Sequence, residues 1–243
     1  MKFSEKLICA KCGDDAWNEK WEQITSTQVI CSNCKNLFKS QLEQLKQNFI
    51  KSPLFPKIDK IENGTALILE GLGLREKKHD KQKHHLEGTA KRMAKGLVEL
   101  CEGLFMPEPK ITVFDNLEGY DQLVLVNDIK FVSLCSHHFL PFEGTASFGY
   151  IPGEHIIGLS KLARIFQYFS RRPQVQEVLT EQVADFLMTK INPRGVIVVV
   201  KARHSCMAYR GVKADASMTT SALRGIFKTD VSAKEEALLL MKV

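Results

Sequence analysis

Two short segments, Cys135-Ser136-His137-His138 and His204-Ser205-Cys206, bring together residue types that hold and use a transition metal. Thiolate sulfur and imidazole nitrogen suit zinc, and a catalytic zinc takes three protein ligands and keeps a fourth position for water or substrate. Cysteines and histidines drawn from two segments about seventy residues apart supply such a set. A histidine not used as a ligand is suited to proton transfer, because imidazole titrates near neutral pH. The other reading of a Cys–His pair is core packing without metal, and these residues alone leave both open. The paired His-x-Glu and Pro-Cys-x-x-Cys signature of zinc nucleobase deaminases does not occur, which removes that class.

A second constellation is Cys9-x-x-Cys12 with Cys31-x-x-Cys34, separated by eighteen residues, the spacing of a four-thiolate zinc ribbon. Gly13, directly after Cys12, gives the backbone freedom that a metal knuckle uses. With all four positions filled by protein, this zinc is expected to hold a fold and not to catalyse. A module of fewer than about 40 residues needs such a metal to fold. The seven cysteines are an odd number, which argues against a disulfide framework and for ligands in a reducing compartment.

These residues need elements to position them. The 243 residues, 44% hydrophobic, suffice for one full domain with a small appendage. A net charge of +6 and a pI near 8.9 suit a polyanionic ligand such as a phosphorylated metabolite, and fall short of a nucleic-acid footprint. No apolar run approaches the roughly 18 residues of a spanning helix and no signal-peptide stretch follows Met1, so the expected location is cytoplasmic, with no membrane partner. Pro53 and Pro56 interrupt a helical-looking stretch over residues 40–50. The expected organisation is a zinc-ribbon-like module over 1–40, a helical and Pro-containing linker over 41–57, and a main domain over 58–243.

Within the main domain, apolar spacing predicts a helix over Ile58 to Gly73, stopped at Gly71-Leu72-Gly73. A Lys-rich loop with His79, His84 and His85 reads as solvated, not as a third metal site. Ala90, Met93, Ala94, Leu97, Val98 and Cys101 mark an amphipathic helix from about Gly88, with Cys101 as packing. Strands are expected at 111–114, 123–126 and 142–150, helices at 159–170 and 173–190, and a fully buried strand at Val196–Val200 with Cys206–Arg210 as its hairpin partner. The class is α+β, helices on one face of an antiparallel sheet.

Several of these stretches together carry a resemblance: Leu134 to Pro141, Tyr150-Ile151-Pro152, Ile157 to Arg164, Ser170 to Glu177 and His204 to Gly211. In order and spacing, roughly over residues 59 to 230, they resemble GTP cyclohydrolase I, with Thr89 to Ala94 and Gly119-Tyr120 also matching and the cysteine-rich N-terminus outside. The resemblance implies that Cys135, His138 and Cys206 bind a catalytic zinc, with His137 and His204 as proton-transfer groups. It assigns Gln176 and Glu177 to the guanine edge, and Ser160, Lys161, Arg164, Arg210 and Arg92 to the ribose and triphosphate. Arg171 and Arg172 are left as surface or interface charges. Three positions depart from the family: Ser136 where an acid is common, Ala90 where proline is usual and Asn127 where arginine is common. Ser136 bears on the tuning of the metal site.

The resemblance further implies the tunnelling fold, in which antiparallel sheets from several subunits join into a barrel, commonly a decamer of two pentamers with active sites between subunits. The implied reaction converts GTP and water to 7,8-dihydroneopterin triphosphate and formate. Two alternatives stand beside it. One is an inactive tunnelling-fold scaffold whose ribbon binds nucleic acid or a protein. The other is an enzyme of the same fold that stops at the formylated, ring-opened product.

Overall fold

The structure, a computed structural model, describes residues 21–25, 28–31, 57–74 and 83–241, with backbone alone described for 21–25, 28–31 and 83–84. The chain separates into two compact units, Met1–Phe55 and Pro56–Val243. In the first, β1 (Trp21–Thr25) and β2 (Gln28–Cys31) pair as an antiparallel hairpin. Cys9, Cys12, Cys34, the helix expected over 40–50 and His79 lie outside the described residues.

The second unit begins with α1 (Ile58–Gly71), a single turn α2 (Lys83–Leu86) and α3 (Thr89–Leu100). The glycine stop expected for α1 is present: Gly73 takes φ 74°, its N–H donates to the Glu70 carbonyl, and Leu74 N–H reaches the Leu69 carbonyl at 2.9 Å. This paired arrangement uses carbonyls that a helix end otherwise leaves open. Thr65, 2% exposed, ties α1 to α3 by donating from Oγ1 to the Ala90 carbonyl at 2.8 Å. A 3-10 turn, Glu102–Leu104, follows; a Cβ on Gly103 would lie 2.2 Å from the Tyr168 carbonyl oxygen, so only glycine allows this approach.

The main sheet has the order β7-β4-β5-β8-β9, formed by β4 (Val124–Cys135), β5 (Pro141–Ile151), β7 (Pro173–Gln174), β8 (Gly195–His204) and β9 (Ser217–Gly225). All its pairs are antiparallel except β4 with β7. A separate two-stranded sheet joins β3 (Val113–Asp115) to β6 (His155–Ile157). Helices α4 (Leu159–Ser170) and α5 (Gln176–Ile191) cover one face of the main sheet. Their apolar stripes, Leu162, Ile165 and Phe166 from α4 with Leu179, Val183 and Leu187 from α5, close on Phe142, Phe148 and Val196, Val198 and Val200. Phe131 meets Phe142 and Phe166 edge-on at 5.9 and 5.0 Å, a geometry worth about 0.5–1.5 kcal/mol per pair beyond area burial.

Three expectations need correction. Cys206–Arg210 is not a strand: Ser205–Ala208 forms a helical turn, α6, closed by Tyr209 N–H on the Ser205 carbonyl, and the hairpin partner of β8 is β9. Helices also cover the other face: α7 (Ile226–Thr229) and α8 (Val231–Met241) place Phe227, Ala237 and Met241 against Ile151, Ile197 and Val199. That second layer explains why β5 is half-buried at its start but buried on both faces from Ala146 on. The strand expected at 123–126 runs to Cys135, past a bulge between Val126 and Ile129 where Asp128 has φ 57°. Asn127 sits at that bulge and donates to the Leu240 carbonyl of α8 at 3.0 Å.

Candidate metal centre

Strand order brings the two Cys–His segments together. β4 and β8 flank β5, with Leu134 opposite Pro141 and Phe142 opposite His204, so both strands run out over the start of β5. Cys135 ends β4 and Cys206 lies in α6, just past the end of β8. The turn after Cys135 is held by Cys135 N–H on the Leu140 carbonyl and Phe139 N–H on the Cys135 carbonyl, both 2.8 Å, with Phe139 at φ 54°. This tight turn aims successive side chains to one place.

Donor atoms of Cys135, His138 and Cys206 lie within 4.8 Å of one another. Cys135 Sγ is 3.8 Å from His138 Nδ1 and 3.9 Å from Cys206 Sγ. Tetrahedral bonds of about 2.3 Å to sulfur and 2.0–2.1 Å to nitrogen separate ligand atoms by roughly 3.5–3.8 Å, so the donors fit zinc. His137 Nδ1 is 3.7 Å from Cys135 Sγ but does not complete the three-donor group. Three protein donors leave a fourth position open.

Burial pushes the Cys206 thiol above its ordinary pKa, the hydrogen bond and charge of Cys135 push the same way, and Arg210 opposes them. The thiol is therefore protonated at neutral pH and must lose its proton to bind metal. Addition of zinc to metal-free protein in weak buffer is expected to release protons, and zinc affinity to rise with pH; pH-independent uptake would contradict the thiolate ligand. Burial also lowers the pKa of His204, with the Glu177 carboxylate opposing. That ring is neutral near pH 7 and ready to accept a proton.

Around the donors, β7 pairs with the end of β4, Cys135 opposite Gln174, which fixes the start of α5 beside the metal turn. Glu177 is exposed in the first turn of α5. Gln176 is 1% exposed and turns inward, its Oε1 2.8 Å from His204 Nε2. Phe142 stacks flat on the His204 ring, centroids 4.5 Å apart and planes 2° apart. Sequence reasoning placed Phe142 only within the strand expected over 142–150.

The remaining proposed contacts are not gathered at the donors. Ser160, Lys161 and Arg164 lie along α4, with no hydrogen bond or ion pair to the cluster among the described residues. Arg92 folds back on its own helix start, donating to the Glu87 and His85 carbonyls and to Thr89 Oγ1. Arg171 is paired with Glu102, and Arg172 lies over the Tyr168 ring at 4.4 Å, so the latter is a packed cation. A cleft of about 1020 Å³, which Glu99, Lys130, Glu143 and Arg171 help to line, contains none of the proposed site residues.

The α+β sheet and its Cys–His–Cys cluster define a class: a domain whose strand ends gather three donors able to hold a metal ion. Comparison with known proteins narrows it. The family model of GTP cyclohydrolase I matches residues 64–242. GTP cyclohydrolase 1 of Aquifex aeolicus (strain VF5) is 45% identical over 185 residues, covering 76% of this chain and 96% of its own. Its counterpart from Brevibacillus brevis is 44% identical over 189 residues (76% and 97%), and that of Mycolicibacterium paratuberculosis 49% over 167 residues (67% and 81%). Among solved structures, the archaeosine synthase QueF-Like in its apo form covers 41% of this chain and 92% of its own at a TM-score of 0.30 and 19% identity, too loose a likeness to inform the fold. The chain belongs to the GTP cyclohydrolase I family, a family of enzymes.

Proposed function

We propose that the protein converts GTP and water to 7,8-dihydroneopterin triphosphate and formate at the Cys135–His138–Cys206 centre. The observation that carries this reading is the spacing of the three donors, with Cys135 Sγ 3.8 Å from His138 Nδ1 and 3.9 Å from Cys206 Sγ. Cys135, His138 and Cys206 would hold zinc there, and the ion would supply Lewis acidity and make water acidic enough to serve as the nucleophile near neutral pH.

The chain's own residues do the rest. His204 and His137 move protons to and from the ring nitrogens as the imidazole ring opens and formate leaves. Glu177, at the N-terminal end of α5 where a carboxylate is favoured, accepts from guanine N1–H and the exocyclic amine, a donor pair that adenine lacks. Arg210, close enough to Cys206 to lower its pKa, holds the nearest phosphate. Ser160, Lys161, Arg164 and Arg92 complete the ribose and triphosphate site in an oligomer, a decamer of two pentamers whose sheets join into a barrel. Among the described residues no helix is long and apolar enough to cross a membrane, and the proposed location is the cytoplasm. The product enters a folate, pterin-cofactor or deazapurine route. A second, structural zinc at Cys9, Cys12, Cys31 and Cys34 rests on their spacing, with the β1–β2 hairpin following the first pair in sequence and ending at Cys31.

Glu177→Gln tests base recognition, because it exchanges an acceptor for a donor opposite N1–H. Loss of a charge-assisted pair worth about 2–3 kcal/mol is expected to lower kcat/KM for GTP some 30- to 150-fold with unchanged zinc content. An unchanged kcat/KM would take Glu177 away from the base.

A further inference from the structure

Gln176 has more hydrogen-bond partners than a residue facing substrate has to spare. Its Nε2 lies 3.0 Å from the Val200 carbonyl, 3.1 Å from the Met218 carbonyl and 3.1 Å from Thr220 Oγ1. Backbone carbonyls only accept, so the amide cannot be flipped without setting its oxygen against two others. The hydroxyls agree. Thr180 Oγ1 donates to the Gln176 carbonyl at 2.7 Å, so the proton in the 2.7 Å contact between Thr180 and Thr220 comes from Thr220. Thr220 Oγ1 is then left to accept from Gln176.

With the amide nitrogen fixed on that side, Oε1 faces His204 Nε2 at 2.8 Å and can only accept. Nε2 therefore carries a hydrogen, and the other ring nitrogen, Nδ1, makes no hydrogen bond among the described residues. Phe142 fixes the plane of the same ring. We infer that Gln176 is a positioning residue which acts through His204, setting its tautomer so that Nδ1 is the proton-transferring atom, and that reading guanine falls to Glu177. This deepens the proposed function and rests on its use of His204.

The test separates positioning from base contact. In the zinc-loaded protein, Gln176→Met is expected to lower kcat about 10- to 100-fold, leave the KM for GTP within twofold, and leave the preference for GTP over inosine triphosphate unchanged. The milder Thr220→Val, which removes one anchor of the amide and keeps the packing, shifts kcat alone in the same direction. In a His204→Ala background Gln176→Met then adds nothing, since residues that act as one unit are not additive. Nitrogen-15 spectra of histidine-labelled protein, with the His204→Ala spectrum to assign the signal, are expected to show one tautomer protonated at Nε2, and a mixture in Gln176→Met. A raised KM with lost preference for GTP over inosine triphosphate, or full additivity with His204→Ala, would overturn the inference. A fully active His204→Ala protein would instead overturn the proposed use of His204, and the inference with it.

Discussion

A Cys206→Ala protein is expected to lose one equivalent of zinc per chain and more than about a thousandfold of its GTP turnover. The magnitude follows from the chemistry that zinc would supply: without it, water stays far too weak an acid to ionise near neutral pH, and no side chain in the centre replaces that gain. Only two donors would remain, Cys135 and His138, which is too few for a tight tetrahedral site. The loss is not expected to unfold the domain, because Cys206 is outside the main apolar core and packs against its edge. Zinc per chain, formate release and the melting transition measured on one preparation would check all three points. Retained zinc with retained turnover would exclude Cys206 as a ligand.

The second large effect is expected at His204. His204→Asn keeps a polar side chain of similar reach but cannot transfer a proton, so turnover is expected to fall 10²- to 10⁴-fold while zinc content stays at the wild-type level. Retention of zinc separates this loss from that of a ligand. Wild-type turnover would show that protons reach the guanine ring without His204.

Much of this site was legible in the chain because metal ligation selects residue types. Thiolates and imidazoles in two compact segments identify themselves, and the tight turn after Cys135 delivers His138 to the cluster. What brings Cys206 to Cys135 was not legible, since it depends on β5 lying between β4 and β8. The inward role of Gln176 was hidden for a similar reason. A glutamine in a first helical turn reads as solvated, and only the strand ends carrying Val200, Met218 and Thr220 bury it.

The strand misplaced at Cys206–Arg210 has a local cause. A hairpin partner was expected directly after the valine run, whereas Tyr209 N–H closes a helical turn on Ser205. The true partner, β9, begins Ser217-Met218-Thr219-Thr220, polar enough to pass for a loop, though Met218, Thr220 and Ala222 point inward by simple alternation. The helix layer on the second face was missed because in α8 the charges cluster at Lys234-Glu235-Glu236 and the leucines at Leu238-Leu239-Leu240, which leaves no apolar stripe at helical spacing to read.

The most direct test of the central claim is a turnover measurement with GTP on the zinc-loaded wild-type protein, following formate and the pterin chromophore together. The proposed reaction predicts equal amounts of formate and 7,8-dihydroneopterin triphosphate. GTP left intact by zinc-loaded, assembled protein would contradict it, as would ring opening that releases no formate.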